Sequence, residues 1–155
     1  MRKSRAKARY LAPDTKYNDP LVTRFVNMLM LDGKKSVAFK IFYDALDLVE
    51  KQLKEDGYES WKKGLANVQP AVEVKSRRIG GSNFQIPVEI RASRKISVGM
   101  KWMIMFARKR NGRSMAQKLA NEIVAATKGE GAAVKRKEDT HRMAEANKAF
   151  SHFRV

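Results

Sequence analysis

Thirty-three lysines and arginines, sixteen carboxylates and two histidines make up the ionic chemistry of this chain, and it has no cysteine. His141 and His152 stand eleven residues apart. On a helix that spacing puts them roughly on one side but about 16 Å from each other, too far to share a metal. Gly80-Gly81 is not a phosphate loop, because no Gly-Lys-Ser/Thr and no helix follow it. No acid pair stands out, and no serine sits in a strand-to-helix elbow. The missing cysteine removes disulfides, thiol nucleophiles and thiolate zinc ligands. The expectation is therefore no enzyme, no metal and no cofactor. What remains is positive charge. A net +17 on 155 residues favours a polyanion, since neutralising phosphates releases condensed counterions. A basic chain of this kind reads first as a nucleic-acid binder.

The charge is unevenly placed. Residues 1–10 hold Arg2, Lys3, Arg5, Lys7 and Arg9 with no acid, so a tail over 1–12 is expected to stay mobile until it meets phosphates. Lys75, Arg77 and Arg78 lie along one alternating run, with Arg91, Arg94 and Lys95 at its foot. Six basic residues and no acid lie between Lys101 and Lys118, among them Arg108, Lys109, Arg110 and Arg113. Lys135, Arg136, Lys137 and Arg142 mark the last segment. By contrast, residues 32–59 carry seven acids against five lysines, a net of −2 that leaves +19 to the rest. One side of the molecule should be an ordinary surface and the other strongly positive. No apolar run approaches the roughly 20 residues of a membrane span and no signal-peptide pattern opens the chain, so a cytoplasmic location off the membrane is expected.

Positioning these charges falls first to the stretch Val72–Arg94, VEVKSRRIGG then SNFQIPVEIRASR. Phe84, Ile86, Val88 and Ile90 fall on one side and Gln85, Glu89 and Arg91 on the other, the period of a strand. Val72 and Val74 alternate with Glu73 and Lys75 in the same way. Gly80 and Gly81 permit a reversal, which predicts a β-hairpin over 72–91. Ile79 is out of phase, so a bulge or a longer loop is expected there. Pro87 lacks a ladder donor and belongs on an outer edge. Eight residues per strand make an arm on the order of 25 Å long. Such an arm needs packing at its base and a partner along its length.

Around the arm the pattern is helical. Asp19-Pro20 supplies an N-cap and a first-turn proline, followed by Leu21, Val22, Phe25, Val26, Met28 and Leu29, with Gly33 as the stop. Ser36 is expected to cap a second helix, burying Val37, Ile41, Phe42, Ala45, Leu46, Val49 and Leu53 and ending at Gly57. Ser60 should cap a third, with Trp61, Leu65 and Val68 inward and Pro70 closing it. A fourth, Ser93 to about Lys109, is apolar on more than one face, as a central helix would be. Ser114 caps a fifth, with Met115, Leu119, Ile123 and Ala126 inward. Beyond Gly129 and Gly131 a sixth starts near Ala132, its stripe formed by Met143, Ala146, Phe150 and Phe153. The expected fold is mainly α, a bundle of about six helices with one protruding hairpin arm inserted between the third and fourth. A single nucleic-acid-binding domain is expected over 1–155.

Four segments resemble the ribosomal small-subunit protein seven family, bacterial type. They are LVTRFVNMLMLDGKKSVAFKIFYDAL at 21–46, RRIGG with NFQIPVEIR at 77–91, RKRNGRSMAQKLANEI at 108–123, and GEGAAVKRKEDTHRMAEANKAFSHFR at 129–154. They occur in the family's order over nearly the whole chain. Val155 stands where the bacterial form often has tryptophan, and residues 57–65 are less typical. The resemblance implies a structural constituent of the small subunit of the cytoplasmic ribosome. Such a protein binds the 3′ major domain of small-subunit ribosomal RNA early and nucleates assembly of the subunit head. Its hairpin would lie near the messenger RNA exit path and the exit-site transfer RNA, close to small-subunit protein eleven. Carried onto this chain, the RNA-binding residues are the tail cations, Lys34 and Lys35, the arm cations with Gly80 and Gly81, and Arg91, Arg94 and Lys95. Arg108, Lys109, Arg110 and Arg113 continue the surface, and Lys135, Arg136, Lys137 and Arg142 reach RNA or transfer RNA from the last helix.

The expected mechanism is recognition of phosphates and shape at a folded RNA junction, because duplex RNA hides its major-groove edges. Phe84 and Tyr10 are candidate base-stacking rings, with core packing the stronger expectation for Phe84. Two rivals are a DNA-binding protein with a β-ribbon reader and an RNA-processing enzyme using His141 or His152.

Overall fold

The computed structural model describes residues 9–153, and the tail cations Arg2, Lys3, Arg5 and Lys7 lie outside them. The order is α1 (Pro20–Leu29), α2 (Lys35–Leu53), α3 (Gly57–Val68), β1 (Val72–Ile79), β2 (Ser82–Glu89), α4 (Ala92–Lys109), α5 (Met115–Thr127), α6 (Ala132–Ala146) and a short 3-10 helix (Lys148–Phe153). Six helices with one antiparallel hairpin between the third and fourth match the expected architecture. Asp19 accepts from the Leu21 N–H at 2.8 Å and so caps α1. Its other oxygen accepts from the Tyr58 hydroxyl at 2.6 Å, which ties that cap to α3. Ser114 caps α5 through the Gln117 N–H.

The core gathers the apolar faces of α1 to α5 and the start of α6. Phe25, Phe42 and Trp61, all fully buried, meet with ring centroids 5.3 to 5.4 Å apart. That spacing suits edge-to-face aromatic packing. Helix α4 touches α1, α3, α5 and α6, as its several apolar faces require. Its Met100, Met103, Ile104 and Ala107 are buried, while Trp102 and Phe106 pack half-buried against the core.

Several local expectations are corrected. Ser36 does not cap α2; Lys34 holds that position and makes no side-chain cap bond. The buried face of α2 is centred on Ala38, Phe42, Ala45, Leu46 and Val49, which leaves Val37 51% exposed on its flank. Gly57 does not end α2. Lys54, in the left-handed region at φ 59°, does that, and Gly57 opens α3 under an Asp56 cap. The glycine is needed for contact, since a Cβ there would lie 2.5 Å from the Leu46 carbonyl oxygen. Ser60 is accordingly inside α3 and buried.

The expected stripe of α6 is also out of phase. Ala133, Val134, Thr140 and Ala144 are buried, whereas Met143 is 39% exposed and Ala146 is exposed. The chain leaves α-helical phase after Ala146, so Phe150 belongs to the 3-10 helix and cannot continue a 3.6-residue stripe.

The hairpin has no bulge. Its register runs without interruption from Val72↔Glu89 to Ile79↔Ser82, closed by Gly80 and Gly81 at φ 56° and 89°. Two positive φ angles define the tight turn whose twist matches the strands. Directly paired residues share a face, so Glu73, Lys75 and Arg77 lie with Val88, Ile86 and Phe84, while Val72, Val74 and Arg78 lie on the other face. The base is packed through buried Ile86 and Ile90, with β1 against α6 and β2 against the 3-10 helix. Phe84 is half-buried with its ring 5.3 Å from that of Phe150. Beyond it, residues 75–78 and 80–83 are exposed.

Candidate nucleic-acid interface

The structure sorts the candidate cations by what already holds them. At the root of the arm, Glu73 receives the Arg94 guanidinium on one oxygen, at 3.0 Å from Nε and 2.9 Å from Nη2. Lys75 approaches the other oxygen at 3.4 Å. Partial burial alone would raise the Glu73 pKa, but the Arg94 bond and charge, then those of Lys75, outweigh it and hold the carboxyl below its ordinary value. The arm is thereby pinned to the first turn of α4. Arg108 donates to the Leu29 carbonyl at 3.1 Å, joining α4 to the end of α1. Lys137 donates to the Asn67 carbonyl at 2.7 Å.

Arg110 is committed inward. It pairs with Glu122, which is fully buried. The other Glu122 oxygen accepts from the Ala133 N–H at 3.0 Å, satisfying one of the unpaired donors at the start of α6. One carboxylate thus joins the end of α4, the middle of α5 and the beginning of α6.

Lys34, Arg78, Arg91, Arg113, Lys135, Arg136 and Arg142 are exposed. None of the seven makes an ion pair or side-chain hydrogen bond among the described residues. Lys35 and Lys109 are exposed too, each with its ammonium over a neighbouring ring, Phe39 and Phe106, at 5.8 Å. Lys95 is half-buried and Arg77 exposed. Two lysines at the start of α2 are unfavourable against the positive end of a helix dipole, and no side chain caps that end. An anion placed there would relieve both defects.

The structure gathers some of these groups and separates others. Lys34 and Arg108, far apart in sequence, line one cleft with Leu31, Val37 and Met115. Lys135 and Arg142 line another beside Gly129 and Gly131. Lys75 and Arg78 point to opposite faces of the arm. Tyr10, a candidate stacking ring, is 88% exposed.

The histidines have local duties. His141 Nε2 accepts from the Ala71 N–H at 3.0 Å, bracing α6 against the foot of β1. Burial, then the nearby Lys137 charge, lowers its pKa below the ordinary value. His152 Nδ1 lies 2.8 Å from the Ala149 carbonyl oxygen, in the 3-10 helix rather than on α6. No group of three or more His, Cys, Asp or Glu suited to a metal occurs among the described residues. No described helix is long and apolar enough to cross a membrane.

A family model described as ribosomal protein S7p/S5e matches residues 1–148. This chain belongs to the ribosomal protein S7 family. The small ribosomal subunit protein uS7 of Cytophaga hutchinsonii is 63% identical over 154 residues, covering 99% of each chain. Those of Christiangramia forsetii and Malacoplasma penetrans are 64% and 53% identical, again over 99% of both chains. As an S7 family member the protein is a structural, non-enzymatic constituent of the small subunit of the cytoplasmic ribosome. The residues that sequence reasoning missed are the acids that orient its cations. Glu73 is one of two acids between Glu59 and Glu122, and Glu122 is the only acid between Glu89 and Glu130. A lone carboxylate in a long basic stretch was the available signal. Arg24, which reaches the Ser97 hydroxyl and ties α1 to α4, carried none.

Proposed function

We propose that this S7 family protein binds the 3′ major domain of small-subunit ribosomal RNA directly and nucleates folding of the subunit head. The observation that carries this reading is the set of seven exposed cations that make no ion pair or side-chain hydrogen bond among the described residues, on a scaffold where Arg24, Arg94, Arg108 and Arg110 are tied down. Lys34, Lys35, Arg78, Arg91, Lys95, Arg113, Lys135, Arg136 and Arg142 meet phosphates. Arg77, Lys109 and the tail cations Arg2, Lys3, Arg5, Lys7 and Arg9 add to them. Arg94, Arg108, Arg110, Lys75 and Lys137 hold the surface in shape and contribute field. Gly80 and Gly81 let the arm's tip approach a backbone closely.

The resemblance of RRIGG and NFQIPVEIR to the family's hairpin supports a finer placement. The tip lies near the messenger RNA exit path and the exit-site transfer RNA, with small-subunit protein eleven as a neighbour. Contacts to phosphate fix register, and any base reading comes from unpaired nucleotides. The test is binding of the purified chain to 3′ major domain RNA across a salt series, with a footprint at each end. Affinity should fall with a log–log slope of about −0.7 to −0.9 per phosphate neutralised. Alanine at Arg77 and Arg78 should weaken binding while the melting temperature stays put. A flat salt response would remove the electrostatic basis of the proposal.

A further inference from the structure

Glu73 is the one acid on its face of the hairpin. Strand β1 sets it in line with Lys75 and Arg77 at the two-residue period, while Glu89, the hairpin's other acid, pairs with Val72 on the opposite face. Two cations from different elements stand around it. One carboxylate oxygen takes Nε and Nη2 of Arg94, in the first turn of α4, at 3.0 and 2.9 Å, and the other faces the Lys75 ammonium at 3.4 Å. The carboxylate is the covered member of the group. Its side chain is 18% exposed, against 56% for Arg94 and 60% for Lys75. Its lowered pKa keeps it ionised at neutral pH, so two positive charges and one negative still leave the cluster cationic. The bonds to Glu73 use one edge of the guanidinium and leave Nη1 outside them.

We infer that Glu73 is a positioning residue that gives the root of the arm its specificity for a folded RNA. From behind the surface it holds the Arg94 guanidinium and the Lys75 ammonium at a set spacing for two phosphates. The inference rests on the RNA-binding reading above. An acid that masked the cations would draw them into cover, whereas here the cations are outermost and the acid lies beneath them. A long side chain that is ordered before binding loses less entropy on meeting its phosphate. Glu73 also repels the polyanion. That repulsion is common to every RNA, whereas the gain from orientation arises only where the phosphates match the spacing. One carboxylate therefore strengthens binding to the matching RNA and weakens binding to any other.

The test is Glu73→Gln in the full chain, an isosteric change at a partly exposed ion pair that the fold should survive, with circular dichroism to verify it. Charge alone predicts tighter binding to any RNA, because a repulsive group is gone. Positioning predicts that affinity for 3′ major domain RNA falls about fivefold. A scrambled-sequence RNA of the same length should be bound as tightly as by the native chain, or more so. In a chain already carrying Lys75→Ala and Arg94→Ala, the same change should no longer weaken binding, since the groups it orients are absent. Unchanged or tighter binding to 3′ major domain RNA overturns the inference. So does an equal loss on both RNAs, which would mark a general collapse of the arm, and so does a loss that persists without Lys75 and Arg94. A native chain that binds 3′ major domain RNA no better than the scrambled RNA overturns the RNA-binding reading itself.

Discussion

The two ends of α4 are each anchored by an arginine and a glutamate, and the two anchors differ in kind. At the start, Arg94 meets Glu73 at the foot of the arm, with the arginine side chain 56% and the glutamate 18% exposed. At the end, Arg110 meets Glu122, whose side chain is 0% exposed and also accepts from the Ala133 N–H. The first pair is bathed in water and salt, so its Coulomb energy is small. The second places a carboxylate in the core, where losing the partner leaves a charge with no compensation. The same two residue types therefore make an adjustable joint for the arm and a fixed joint for the helices.

The largest effect should come from Arg110→Ala. Stranding buried Glu122 should cost about 3 to 5 kcal/mol in denaturant unfolding. A loss below about 1 kcal/mol would show that water reaches Glu122 and that the two joints are alike. Next is His141, the other brace of the arm. Replacing it with leucine removes the acceptor for the Ala71 N–H, a loss of roughly 0.5 to 1.5 kcal/mol near pH 8. The native histidine also has a pH signature. Its folded pKa lies below 6.5, so below that pH the unfolded chain binds more protons than the native one. The contribution is complete above 6.5 and is lost as pH falls through the folded value. Urea midpoints at pH 8, 6.5 and 5 should show the variant and native chains converging.

Smaller still is Glu73→Gln, expected to change stability by less than about 1 kcal/mol, and by less again in 1 M salt. Because the folded Glu73 pKa is lowered from 4.5, its contribution is present above 4.5 and disappears as pH drops through the folded value. Native and variant stabilities should therefore merge in acid. The smallest stability effect belongs to Arg78→Ala, which strands no partner among the described residues. Its melting curve should overlay the native one. A drop of several degrees would mean that the tip supports the fold.

Much of the fold was legible because it depends on local period. Alternation at Phe84, Ile86 and Val88 and 3.6-residue spacing at Val22, Phe25, Val26 and Leu29 are properties of neighbours in sequence. The misreadings cluster where packing sets the phase. Ser36 and Ser60 are good caps by type, but the faces of α2 and α3 that bury Phe42 and Trp61 start those helices elsewhere. Gly57 reads as a stop and acts as a point of close contact with Leu46, a fact set by where α2 and α3 cross.

The amino-acid order on its own determined six helices, one glycine-turned arm and an excess of cations on most of its segments, since composition and periodicity are carried residue by residue. Only the tertiary structure decided which cations remain available. Arg94 finds Glu73 across 21 residues, Arg110 finds Glu122 across 12, and Lys137 finds the Asn67 carbonyl across 70. Arg78, Arg113 and Arg136 look the same in sequence and find no such partner among the described residues. A guanidinium held by a carboxylate and one left to solvent differ in what stands within a few ångströms, and folding alone sets that distance.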